Sequence, residues 1–214
     1  METAEKKKAE GRTTVNGRLA AEAGLTAGRR RPEEGRRAAE TKWPAERMTA
    51  MGLMAALLCA SSYIVIPLPF TAVSITAQTM VVNLIGMILG PADTAAVFLV
   101  WILLGAAGAP VFSGGSGGVG ILLGPGGGYI AGFFAAAVLI SLFCRSVKGI
   151  GKQTAFLIGA GIPVIYLFGA VWMKISLGLS LPAVMVQAVL PFIPLDVAKC
   201  LGAAALARTL RRAI

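Results

Sequence analysis

From Met48 through Cys144, nearly a hundred residues, the only Asp, Glu, Lys, Arg or His is Asp93. Soluble domains carry about a quarter of their residues as charged ones. This chain of 214 residues carries 14%, with a mean hydropathy of +0.76. A water-facing surface cannot be built over such an interval. Lipid is the solvent that fits it, and the expected class is an all-α integral membrane bundle.

Breakers divide the apolar sequence into six spans. They cover about residues 48–66 (closed by Pro67-Leu68-Pro69), 76–89 (starting as early as Ala72), 92–108, 129–144, 154–172 (bent near Gly161 and Pro163), and a last one from Ala183 or Val189 to Ala207. About 20 apolar residues cross a hydrocarbon core of about 30 Å at roughly 1.5 Å per residue. Gly90-Pro91 ends one span and starts the next, and residues 174–182 read as a connector. Between spans three and four lies Ser113-Gly114-Gly115-Ser116-Gly117-Gly118-Val119-Gly120, where no helix is expected.

Charge sets the orientation. Residues 1–47 hold twelve Lys and Arg against eight Asp and Glu, leaving +4 of the net +10. The rest sits mainly at Arg145, Lys148 and Lys152 after span four and at Arg208, Arg211 and Arg212 in the tail. Six spans place these three regions on one side, which is then cytoplasmic by the positive-inside rule. The expectation is a multi-pass protein of the cell membrane with both termini inside and the Gly-rich loop outside. The basic residues form no face interleaved with aromatics, so a nucleic-acid partner is excluded. Residues 1–47 read as a disordered polar tail without the apolar core of a secretory signal, and residues 48–214 as the folded domain.

Few residues could carry chemistry. Histidine is absent, and Cys59, Cys144 and Cys200 are isolated in apolar sequence, so neither a metal site nor a catalytic set is expected. Asp196 and Lys199 stand three apart in an apolar segment and share a helix face. Ionisable groups at membrane depth usually mark a solute pathway, although a self-satisfied pair with Lys199 reaching toward water fits the same spacing. Gln78 can bond another helix or a polar ring. Glycines over 109–128 let backbone groups approach a ligand, but the G-x-x-x-x-G-K-[ST] pattern of a nucleotide loop is missing. Gly52, Ala56 and Ala60 form a small-residue stripe suited to close helix approach, by this chain or by a partner.

Gly108-Ala109-Pro110-Val111-Phe112-Ser113-Gly114-Gly115-Ser116-Gly117-Gly118 and Leu123-Gly124-Pro125-Gly126-Gly127-Gly128-Tyr129-Ile130-Ala131-Gly132-Phe133 together resemble the signature of the BioY family of biotin transport proteins. Ile75-Thr76-Ala77-Gln78-Thr79 and Ile193-Pro194-Leu195-Asp196-Val197-Ala198-Lys199 resemble further family motifs in the same order. The similarity runs from about Met48 onward, departing at Gly126 and Leu195, where the family carries Thr and Gly. The resemblance implies a six-helix substrate-binding subunit of an energy-coupling factor importer. Such a subunit takes biotin from outside, while a membrane coupling protein and two ATPase subunits supply the energy, so ATP is used only by partners and no cofactor is bound. For such a ligand the chemistry suggests a site with Asp196 accepting a ureido N–H, Lys199 steadying its charge or meeting a ligand oxygen, Gln78 and the backbone of Gly114, Gly115, Ser116, Gly117 and Gly118 adding polar contacts, and Tyr129 as a wall. Gly52, Ala56 and Ala60 would dock the coupling protein. A channel gated by the Gly-rich loop and an intramembrane enzyme using Asp196 as base are the competing readings.

Overall fold

A computed structural model describes residues 45–144, 146, 147 and 149–213. The expected disordered tail lies outside these residues except for its last three, Ala45 to Arg47, which form the first turn of a helix. Arg145 and Lys148 also lie outside them. The tertiary fold that follows is that of the unit Thr49–Ile214.

Eight helices carry it: α1 (Ala45–Ser61), α2 (Gln78–Ile88), α3 (Pro91–Ala106), α4 (Val119–Leu123), α5 (Gly127–Phe143), α6 (Ile150–Leu177), α7 (Leu181–Ala188) and α8 (Ile193–Ala213). Between α1 and α2 two short strands, β1 (Val65–Ile66) and β2 (Ile75–Thr76), pair antiparallel with Val65 opposite Thr76. The molecule is mostly helical, as expected. α6, with 28 residues and a mean hydropathy of 2.0, is the one described helix long and apolar enough to cross a membrane unaided. α7 and α8 meet that test only together, across a 45° bend, and α2, α3 and α5 are shorter apolar helices.

Several boundaries differ from the sequence expectation. α1 ends at Ser61, and α2 starts at Gln78 rather than near Ala72, because the intervening chain turns and pairs as a hairpin. The Gly-rich stretch is not wholly irregular: Ser113–Gly115 makes a 3-10 turn and α4 begins at Val119. α6 runs on into the first four residues of the expected connector, to Leu177, where Gly178 at φ +64° supplies the left-handed stop. The anticipated distortion near Pro163 is a π-helical segment, Leu157–Gly161, in which the Ile162 N–H bonds the Leu157 carbonyl. Proline at 163 has no N–H and its ring excludes the usual carbonyl, so the helix accommodates it by one wider turn. The last span is broken at residues 189–192. Pro191 there cannot continue the α7 ladder, and Pro194 fits the first turn of α8, where a missing N–H costs nothing.

α5 is central, packing on α2, α3 and α6, and α2 in turn packs on α8. Glycine makes these contacts close: a Cβ on Gly132 would stand 3.0 Å from the Ile165 Cα, and one on Gly86 would stand 2.7 Å from the Ala137 carbonyl oxygen. Away from this core, Leu99, Leu103, Leu167, Ile175 and Leu201 are all exposed. Apolar exposure on this scale needs a hydrocarbon neighbour.

Candidate functional site

One cavity brings the buried polar residues Thr76, Gln78, Thr79 and Asp196 together with Lys199. It lies where the first turns of α2, α5 and α8 meet the second half of α3, and it is capped by the hairpin segment and the start of the Gly-rich loop. Its polar corner is α8. The three-residue spacing of Asp196 and Lys199 puts both on one helix face, with Lys199 Nζ 2.8 Å from Asp196 Oδ1. Lys199 also donates to the Thr76 carbonyl at 2.6 Å, and the Tyr166 hydroxyl donates to Asp196 Oδ2 at 2.9 Å. Asp196 is only 3% exposed, and its place in the first turn of α8 sets it against the positive end of the helix dipole. Asp196 and Lys199 are the only charged residues among those described around the cavity, so its charge sums to zero and an added anion would find no excess cation.

Gln78 lines the cavity at the start of α2. It is 2% exposed, and its Nε2 bonds no described residue, while its Oε1 lies a long 3.4 Å from the Thr76 hydroxyl. A buried amide with two unused N–H groups is costly unless a ligand or water takes them. Aromatic and aliphatic side chains supply the rest of the wall. Tyr129 on α5 lies against the hydrogen face of Gly169, where a Cβ would stand 2.5 Å from the ring, and its hydroxyl reaches the Ala188 carbonyl at 2.5 Å. Phe192, from the break before α8, stands 6.1 Å from that ring, while Trp101 and Phe112 stack edge to face at 5.2 Å across the cavity roof.

Of the residues singled out in the sequence, Asp196, Lys199, Gln78 and Tyr129 converge on this cavity. Gly114, Gly115, Ser116, Gly117 and Gly118 do not line the cavity, whereas their neighbours Phe112 and Ser113 do. Four of the loop's backbone donors are already bonded. Gly114 N–H bonds the Ser62 carbonyl, Gly115 and Ser116 bond the Phe112 carbonyl, and Gly118 bonds the Gly105 carbonyl at 2.7 Å. Gly117 lies so close to Ala109 that a Cβ would stand 2.3 Å from its carbonyl oxygen. The glycines therefore fold the cap instead of facing the cavity. Gly52, Ala56 and Ala60 lie apart from the cavity on an exposed face of α1, and no described atom stands within 4 Å of a Cβ built on Gly52.

Sequence reasoning missed Tyr166, Thr76, Trp101 and Phe112. Tyr166 did offer a signal, a lone hydroxyl in an apolar run, but nothing in the sequence pairs it with α8, and Thr76 acts through its backbone carbonyl. Among the described residues no cluster of His, Cys, Asp and Glu could hold a metal.

Comparison with known proteins places this geometry. A family model described as the BioY family matches residues 36–214. The probable biotin transporter BioY of Pyrococcus horikoshii is 37% identical over 139 residues, 65% of this chain and 81% of the relative. The biotin transporter BioY of Rhodobacter capsulatus is 35% identical over 177 residues, 76% of this chain and 92% of the relative. The crystal structure of the S-component for biotin from an ECF-type ABC transporter superposes with a TM-score of 0.73 at 25% identity, covering 78% of this chain and 91% of that one. The family match takes in every helix and every residue lining the cavity, and the chain belongs to the BioY family.

Proposed function

We propose that this chain is the biotin-capturing S-component of an energy-coupling factor importer. It is a transport subunit rather than an enzyme, in keeping with a family whose named relatives are biotin transporters. The observation that carries the reading is the inventory of hydrogen-bonding groups left over in the cavity. Each Asp196 oxygen takes one donor and keeps a lone pair, Lys199 has used two of its three N–H groups, and Gln78 Nε2 has used none. A ureido ring offers two N–H donors and one strong acceptor, the complement of that set. The thiophane and aliphatic chain of biotin suit Trp101, Phe112, Tyr129 and Phe192. Because the ion pair is neutral as a whole, the ureido end belongs beside α8 and the carboxylate belongs toward the cavity mouth.

In this reading the chain makes six membrane passes with both termini cytoplasmic: α1, α2 with the hairpin before it, α3, α5, α6, and the α7–α8 pair. The Gly-rich loop caps the site from outside. Gly52, Ala56 and Ala60 present their exposed stripe to the coupling protein, and two ATPase subunits supply the energy.

The test is a titration of the purified chain in detergent with radiolabelled biotin, in competition with the carboxyl amide of biotin and with unrelated vitamins. One saturable site per chain is expected, displaced by biotin and its amide and not by the others. Absence of saturable binding contradicts the proposal. Solute flux through liposomes holding this chain alone would favour a channel instead.

A further inference from the structure

A second concavity lies on the flank of the bundle, where α5 and α6 meet α3 and α4. Ile102, Leu122, Leu167 and Val171 form its sides, and Gly128 and Ala131 its floor. The floor is low because side chains are missing: a Cβ on Gly128 would stand 2.3 Å from the Trp172 Cβ. No charged side chain lines the groove, and the indole N–H of Trp172 is already given to the Gly124 carbonyl at 2.9 Å. A polar ligand or a peptide backbone would find no hydrogen-bond partner there.

Charge appears one turn further along. Leu167, Val171 and Lys174 follow one another at the i, i+4, i+7 spacing that makes a single helix stripe. Lys174 is exposed and bonds no described residue. It stands about 5 Å along the helix axis from Val171 and about 10 Å from Leu167, at roughly 1.5 Å per residue. A hydrocarbon trough ended by an indole and then by a cation repeats the order of groups in a phospholipid, from chain through interface to phosphate.

We infer that the groove between α5 and α6 is a binding site for one acyl chain of a phospholipid, with the lipid phosphate paired to Lys174. The lipid belongs to the leaflet that the C-terminal end of α6 faces. It also lies back to back with the polar cavity, since Ile130 lines both, and Ile121 faces the cavity while Leu122 faces the groove.

Native mass spectrometry of the full chain in mild detergent, titrated with dioleoyl phosphatidylglycerol, tests this without reference to biotin. One adduct per chain is expected before any second adduct forms. Ala131→Trp, which fills the trough, should weaken that first adduct by about tenfold or more, because it displaces several methylene contacts. Lys174→Gln should weaken it by about fivefold and reduce its sensitivity to salt. Unchanged helicity by circular dichroism certifies each variant as folded, with Ala131→Leu as the smaller filler should the Trp variant misfold. A wild-type chain that retains no lipid overturns the inference. So do adducts indifferent to both substitutions, which would be annular lipid only. A lipid-free dimer abolished by Ala131→Trp would make the groove an interface between copies and overturn it as well.

Discussion

Among the described residues, the Tyr166 hydroxyl is the side chain from another helix that bonds Asp196, while Lys199 on the same helix is held in turn by the Thr76 carbonyl. Tyr166→Phe removes a single hydrogen bond to a carboxylate and leaves the ring in place. Biotin affinity should fall by about three- to tenfold, because the carboxylate keeps its charge and loses one group that orients it, while the lost bond itself, about 1.5–3 kcal/mol to a charged acceptor, should also lower the thermal unfolding midpoint. An equilibrium binding isotherm checks this, and an unchanged dissociation constant would remove Tyr166 from the site. At this scale the sequence was legible where a residue broke the physics of its surroundings. Asp196 and Lys199 stand out because charge at membrane depth is costly, and Gln78 because an amide there must bond something. Thr76 could not be singled out in the same way, since it holds Lys199 through its backbone carbonyl, a group every residue possesses. Nor could Tyr166, whose part depends on how α6 is rotated against α8.

Among the elements, α1 combines an exposed stripe with a buried one: Met54, Leu58 and Ser61 face the core, while Gly52, Ala56 and Ala60 lie on the open side. Small residues on a lipid-facing surface give up dispersion contacts unless another helix approaches. Ala56→Trp should therefore abolish co-purification of the coupling protein while leaving biotin binding by the isolated chain as it was. Retained co-purification would place the partner elsewhere. The helices themselves were readable from apolar runs and from the Gly and Pro residues that end them. Their interruptions were less so. The hairpin rests on two residues per strand, too few for an alternating pattern. The break at residues 189–192 is hidden because Val189, Leu190 and Phe192 continue the apolar run on either side of Pro191. The Gly-rich loop was recognisable as flexible backbone, but composition does not say which way its N–H groups point, and they point to Phe112 within the loop, to Ser62 just after α1 and to Gly105 at the end of α3.

For the whole molecule, the six passes proposed above would put the Gly-rich cap and the basic tail on opposite sides. In a cysteine-free background, a cysteine at Ser116 should react with a membrane-impermeant maleimide added to intact cells. One at Thr209 should react only after the membrane is opened. The reverse pattern would invert the topology, and labelling of both from outside would break the six-pass count. Charge is the sequence feature behind this proposal, because Lys and Arg gather beside spans one, four and six. The cavity was legible only as a set of residues scattered between positions 78 and 199, since its shape comes from helix packing over Gly86, Gly132 and Gly169, where the absence of a side chain is the feature that matters.

The account turns on the carboxylate of Asp196 holding the polar ring of biotin, and the most direct measurement is the biotin dissociation constant of Asp196→Asn beside wild type, in detergent, with both shown folded by circular dichroism. A loss of about thirtyfold or more is predicted, because the variant forfeits a charge-assisted hydrogen bond and leaves Lys199 without its partner. A folded Asp196→Asn chain that binds biotin as tightly as wild type would contradict it.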